Sequence, residues 1–122
     1  MKILLIRPGE KPVLSEIDGT LESMQKIVRG YIEILYPFDD PIALVCNEEG
    51  KLLGLPLNRS LWDSCGQIYD AIAGTFFLCG VPPDSDHLDS IPEELVSKYQ
   101  EWFTSPEVFI QLNGRVVCIP VN

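Results

Sequence analysis

The chain has 122 residues, 46% hydrophobic and 22% charged, which is enough to bury one sizeable core and too little for a second domain. Nine Lys and Arg stand against 18 Asp and Glu, and this formal net charge of -9 argues against phosphate backbones and anionic lipid as partners, since the sequence holds no local basic patch. Ile3 to Ile6 is too short for a signal-peptide core and nothing approaches the ~20 apolar residues of a membrane span, so the expected compartment is the cytoplasm.

Lys2 to Arg7, rich in Ile and Leu and closed by Pro8-Gly9, suits a buried strand and a turn. A second extended stretch is expected over Pro12 to Ile17. Asp18-Gly19-Thr20 then offers a turn and an N-cap for a helix from Thr20 to Arg29, whose apolar residues Leu21, Met24, Ile27 and Val28 recur at helical spacing, with Gly30 as its stop. From Tyr31 to Tyr36 the pattern alternates like a strand and ends at Pro37. Ile42 to Cys46 and Lys51 to Leu53 flank the polar Asn47-Glu48-Glu49-Gly50 and predict an antiparallel hairpin.

Gly54 to Gly66 mixes Pro56, Asn58, Asp63 and Ser64 with three leucines and Trp62, which predicts an irregular excursion pinned by its apolar residues. Ile68 to Ala73 and Thr75 to Cys79 read as strands, the second too apolar for a solvent-facing edge. Val81 to His87 is a polar connection. Ser90-Ile91-Pro92-Glu93 has the spacing of a capping box, opening a helix to about Phe103 with Ile91, Leu95, Tyr99, Trp102 and Phe103 on its core side. Val108 to Leu112 and Arg115 to Ile119 flank Asn113-Gly114, the strongest hairpin dipeptide, while Ser105-Pro106-Glu107 offers an alternative start to a short helix. The fold these elements predict is α+β, a single domain with a mostly antiparallel sheet packed against two helices.

Several chemistries lack their residues. His87 is the only histidine and sits in an acidic loop, so a surface role is expected in place of a Ser-His-Asp or Cys-His relay. Cys46, Cys65, Cys79 and Cys118 lie far apart, without a CxxC pair, and read as buried thiols in preference to disulfides or zinc ligands. Asp84-Ser85-Asp86 opens like a calcium loop but lacks its glycine and terminal glutamate. Neither GxxxxGK[ST] nor GxGxxG occurs. Asp39-Asp40 and Glu48-Glu49 are expected to be solvated turn residues. No catalytic residue, metal or cofactor is expected.

The segment Gly54-Leu55-Pro56-Leu57-Asn58-Arg59 is the candidate site, because it sets a guanidinium beside an amide. Arg59 can grip a carboxylate or phosphate through paired hydrogen bonds, and Asn58 can donate and accept. The structural alternative is that Arg59 pairs with an internal carboxylate and Asn58 caps the local backbone. Tyr31, Glu33 and Asn47 are the expected neighbours in a ligand site.

GYIEILYPFDD, ALVCNEEGKLLGLPLNR and IYDAIAGTFFLCG together resemble DUF3846, a family of small bacterial and phage proteins. The likeness is close over residues 1 to about 81 and weaker in the C-terminal third. It implies a small cytosolic protein, often of mobile elements, and assigns no catalytic residue. The expected function is accessory, binding a protein partner or a small ligand without catalysis. Two alternatives stay open: an enzyme or sensor holding a small anionic metabolite at Asn58 and Arg59, and an acidic inhibitor of a host nucleic-acid enzyme.

Overall fold

A strand that alternates apolar and polar residues needs one covered face, whereas a strand that is apolar throughout needs two. Three strands of the second kind, β1 (Lys2–Ile6), β4 (Ile42–Asn47) and β7 (Phe76–Gly80), form the middle of a five-stranded sheet in the computed structural model, which describes residues 1–121. With β2 (Val13–Glu16) and β3 (Ile32–Leu35) at the edges the order is β2-β1-β7-β4-β3, and every neighbouring pair is antiparallel. Ile3, Leu5, Ala43, Val45, Phe77 and Cys79 point to one face, where Met24 and Val28 of α1 (Leu21–Val28) cover them. Leu4, Ile6, Ile42, Leu44, Phe76 and Leu78 point to the other, where Tyr99 of α2 (Glu93–Trp102), Phe103 and Ile91 close the core. The two helices therefore lie on opposite faces of an α+β fold.

Helix ends depart from expectation in instructive ways. Thr20 caps α1 as read, its Oγ1 accepting from the Ser23 amide at 3.1 Å, but Leu21 stays exposed. The stop is Arg29, not Gly30: Arg29 takes the left-handed conformation (φ 63°). Gly30 is needed for room instead, since a Cβ there would lie 2.8 Å from Asn47 Nδ2. The capping box at Ser90 does not form either. Ile91 N donates to Lys2 O at 2.9 Å and Lys2 N donates to Ser90 Oγ at 2.9 Å, so this stretch is drawn out against β1 and the helix opens only after Pro92.

On α2, Phe38 packs edge-on against Tyr99, Trp102 and Phe103. Trp102, expected in the core, remains half exposed. Asp40, expected in water, accepts from Lys98 Nζ at 2.6 Å and from the Tyr99 hydroxyl at 2.7 Å, and these donors hold its carboxyl below the usual carboxylate range. A carboxylate whose folded pKa lies below its unfolded value stabilises the fold above about pH 4, and that stability is lost as pH falls through the folded pKa. Asp40→Asn is therefore expected to lower the urea midpoint at neutral pH and to converge with the parent protein on the acid limb. An offset equally large on the acid limb would show that the charge is not the cause.

The largest correction concerns residues 42–66. Ile42 to Cys46 does not pair with Lys51 to Leu53, because β4 is taken on both sides by β3 and β7, and residues 50–54 are turns. The expected irregular excursion contains β5 (Leu57–Trp62), paired antiparallel with β6 (Ile68–Ala73). Its breakers occupy the strand's margins: Pro56 precedes it, and Asp63 makes the turn, its Oδ1 accepting from the Cys65 and Gln67 amides at 2.9 Å. This hairpin delivers Leu61 and Ile72 to the core face that carries α2.

β8 (Glu107–Leu112) and β9 (Arg115–Pro120) form the hairpin expected around Asn113-Gly114, both with positive φ (50° and 77°), and no helix starts at Ser105. Cross-strand partners point the same way, so Val108, Ile110, Val117 and Ile119 share the hairpin's exposed outer face, and Phe109, Val116 and Cys118 share its inner one. Glu107 clamps the hairpin to β5: its Oε1 accepts from Ser60 Oγ at 2.6 Å and its Oε2 from the Ser60 amide at 3.1 Å.

Candidate functional site

The β5 ladder slips by one residue between Leu57 and Arg59, leaving Asn58 as the extra residue of a bulge. Bulges re-aim side chains, and here Asn58 and Arg59, adjacent in sequence, are both wholly buried. Asn58 Nδ2 donates to Ile6 O and Gly74 O, each at 2.9 Å. Arg59 makes one hydrogen bond for each of its five N–H groups: Nε and Nη2 to Phe103 O, Nη1 to Asn58 O and Oδ1, and Nη2 to Glu10 O. Phe103 ends α2, whose last turn has no basic residue, so Arg59 supplies from β5 the cation that the negative helix terminus favours. Burial lowers the guanidinium pKa, with Glu107 opposing, but an arginine stays charged in proteins. The segment singled out by sequence thus joins β1, the β6–β7 turn, the β1–β2 turn and the end of α2.

The other three candidates lie apart from these two. Glu33 and Asn47 line a cavity of about 130 Å³ together with Cys46, residues 48–52 and residues 70–73. Asn47 is spent on structure: Nδ2 donates to Val28 O at 2.9 Å and Arg29 O at 3.3 Å, holding the end of α1, and Oδ1 accepts from the Glu49 amide at 2.7 Å. Glu33 keeps its carboxylate at the cavity, contacted by the Cys46 thiol at 3.9 Å. Burial, and next the charge of Glu33, push that thiol up to about 12, which leaves it protonated and inert. Tyr31 is exposed; its carbonyl accepts from the Glu48 amide at 2.9 Å, but its side chain is not part of the cavity wall. Cys79 is buried as expected, whereas Cys65 is exposed and Cys118 half-buried.

A larger opening was not foreseen. Between the β5–β6 and β8–β9 hairpins runs a groove of about 590 Å³, lined by Leu55, Leu57, Ile68, Tyr69, Phe109 and Val116, with Ser60 and Cys118 beside them. Lys51, Asp70 and Ala71 line both this groove and the 130 Å³ cavity, so the two spaces adjoin across the Lys51–Asp70 ion pair. One signal for the groove was present in the sequence. The runs Val108-Phe109-Ile110 and Val116-Val117-Cys118 are apolar on both faces of the β8–β9 hairpin, which packs on β5.

Ser85, Asp86 and His87 touch, but Ser85 Oγ lies closest to His87 Nδ1, at 2.6 Å against 3.4 Å from Nε2, and Asp86 Oδ1 lies 3.9 Å from that same Nδ1. A relay needs the serine and the carboxylate on opposite ring nitrogens. Among the described residues no group of three His, Cys, Asp or Glu side chains is placed to hold a metal ion, and no helix is long and apolar enough to cross a membrane.

Comparison with known sequences finds one family, described as a domain of unknown function, DUF3846, matching residues 1–104. The chain belongs to the DUF3846 family. No curated protein and no solved structure matches it. The DUF3846 match takes in the sheet, both helices, β5–β6 and the whole Asn58–Arg59 network, and stops before β8–β9. The groove therefore has one wall inside the matched region and one beyond it.

Proposed function

We propose that this DUF3846 protein is a non-catalytic binding module that receives an apolar segment of a partner protein in the groove between β5–β6 and β8–β9. The observation that carries the reading is the groove itself. Its 590 Å³ lies in the usual range of about 300–1,000 Å³ for ligand sites, and its lining is mostly apolar with a few polar groups at the margin. Ile68, Tyr69 and Val116 are exposed within it, so their burial by a partner would release water from apolar surface. A protein segment supplies a row of apolar side chains to cover this apolar lining.

The test uses Nile red, a neutral apolar dye, and a random-peptide selection on the intact chain. Val116→Asp places a carboxylate in the groove at an exposed position, and Ile110→Asp places one on the outer face of the same hairpin. Dye and selected peptides are expected to compete with each other, to bind the parent and Ile110→Asp alike, and to fail on Val116→Asp. Binding that survives Val116→Asp, or that Ile110→Asp removes, would overturn the reading.

A further inference from the structure

Resting on that groove reading, we infer that the occupant is a segment with apolar anchors followed by an arginine or lysine, whose cation lies over Asp70 and reaches Glu33 in the adjoining cavity. The groove alone selects for apolar side chains of any sequence. Its charged end narrows the choice. The charged side chains around the smaller cavity are Glu33, Glu48, Glu49 and Asp70 against Lys51, and Lys51 is already held by Asp70. Carboxylates outnumber the cation there four to one, and among the described residues the hydrogen bond Glu33 accepts comes from a weak thiol donor. A ligand cation entering from the groove would meet Asp70 first. Lys51 is mostly exposed and can exchange its partner for water at little cost.

Size agrees with charge. A cavity of about 130 Å³ has room for a guanidinium or ammonium head group. The apolar anchors belong in the 590 Å³ groove, whose lining is mostly apolar, with the cation at the end that Asp70 and Lys51 share with the cavity. The chain's net charge of -9 adds a long-range field that draws such a segment in and repels its acidic counterparts.

The probe is acetyl-Leu-Phe-Leu-Arg-amide, titrated calorimetrically into the full chain beside the same peptide with citrulline, which keeps the arginine shape without its charge. Arginine is expected to bind about tenfold more tightly at low salt, with the advantage shrinking as salt is added. Glu33→Gln and, separately, Asp70→Asn are each expected to remove most of that advantage while leaving citrulline binding unchanged. Glu33 is exposed, so its substitution leaves the core alone. Equal affinity of the two peptides, with no response to either variant, would overturn the cation and leave the groove standing. Failure of both peptides, together with loss of Nile red binding in the parent, would overturn the groove and the inference with it. Acetyl-Gly-Gly-Gly-Arg-amide binding as well as the apolar peptide would show charge capture without anchoring, which also overturns the inference.

Discussion

Arg59→Leu is expected to destabilise the fold by about 3–5 kcal/mol, read as a fall in the urea midpoint with an unchanged slope. A buried ion pair replaced on both sides by apolar groups is often neutral, because desolvation offsets the Coulombic gain. Arg59 does not fit that case, since its acceptors are main-chain carbonyls and the Asn58 amide, which a single substitution cannot remove. Leucine would leave the buried Phe103 O and Asn58 Oδ1 and the partly buried Glu10 O without this donor, and each such orphan costs about 1–3 kcal/mol less whatever water can recover. It would also remove the Arg59 cation from the C-terminal end of α2, whose own last turn has no basic residue. Arg59→Lys is the informative companion. The ammonium keeps the charge but has three donors on a compact head in place of a planar fork with five, so it is expected to recover less than half of the loss. A leucine variant within about 0.5 kcal/mol of the parent would mean that the network contributes nothing net to stability.

What the sequence disclosed and what it withheld divide along one physical line. Strands whose burial is a matter of hydrophobic pattern were legible: Ile3 to Ile6, Ile42 to Cys46 and Phe76 to Cys79 announce two-sided burial by being apolar throughout. Local turn chemistry was equally legible at Asn113-Gly114 and at the Thr20 cap. Where a residue's partner lies far along the chain, local rules gave the wrong partner. Ser90 bonds Lys2 instead of Glu93, and Asn47, at the start of a turn, reaches across to the end of α1. The hairpin expected between residues 42 and 53 failed because turn signals at Asn47 to Gly50 say that the chain reverses without saying which strand it meets.

The candidate site shows the same limit at a single residue. Arg59 and Asn58 were singled out for their donors and acceptors, and the choice between a ligand and internal structure was left open. Only the slip between Leu57 and Arg59 decides where they point, and a bulge is invisible to a period-two reading of LPLNRSLW. Tyr31, Glu33 and Asn47, expected as neighbours of Asn58 and Arg59 in a ligand site, lie apart from them, and Glu33 is the one that brings a carboxylate to the cavity. The groove escaped notice because half of it is a face of β8–β9, whose inner and outer residues are equally apolar.

Asn58→Leu is expected to cost about 2–4 kcal/mol, since it leaves Ile6 O and Gly74 O, both buried, without the Nδ2 donor that serves them. Leucine is close in size, so the loss would come from hydrogen bonding and not from a cavity. Asn58→Asp separates the two ends of the side chain. Its Oδ1 still accepts from Arg59 Nη1, now as a charge-assisted bond, but an oxygen replaces Nδ2 opposite two carbonyls and repels them. The aspartate variant should therefore be less stable than the parent at neutral pH and regain stability on acidification, where a protonated carboxyl can donate to one of those carbonyls. Because Asn58 Oδ1 and Arg59 share a bond, the double variant Asn58→Leu with Arg59→Leu is expected to lose at least about 1 kcal/mol less than the sum of the single losses. Strict additivity would instead mean that Asn58 fastens β1 to the β6–β7 turn and Arg59 fastens α2 as two separate ties. The bulge would then serve only to place them side by side.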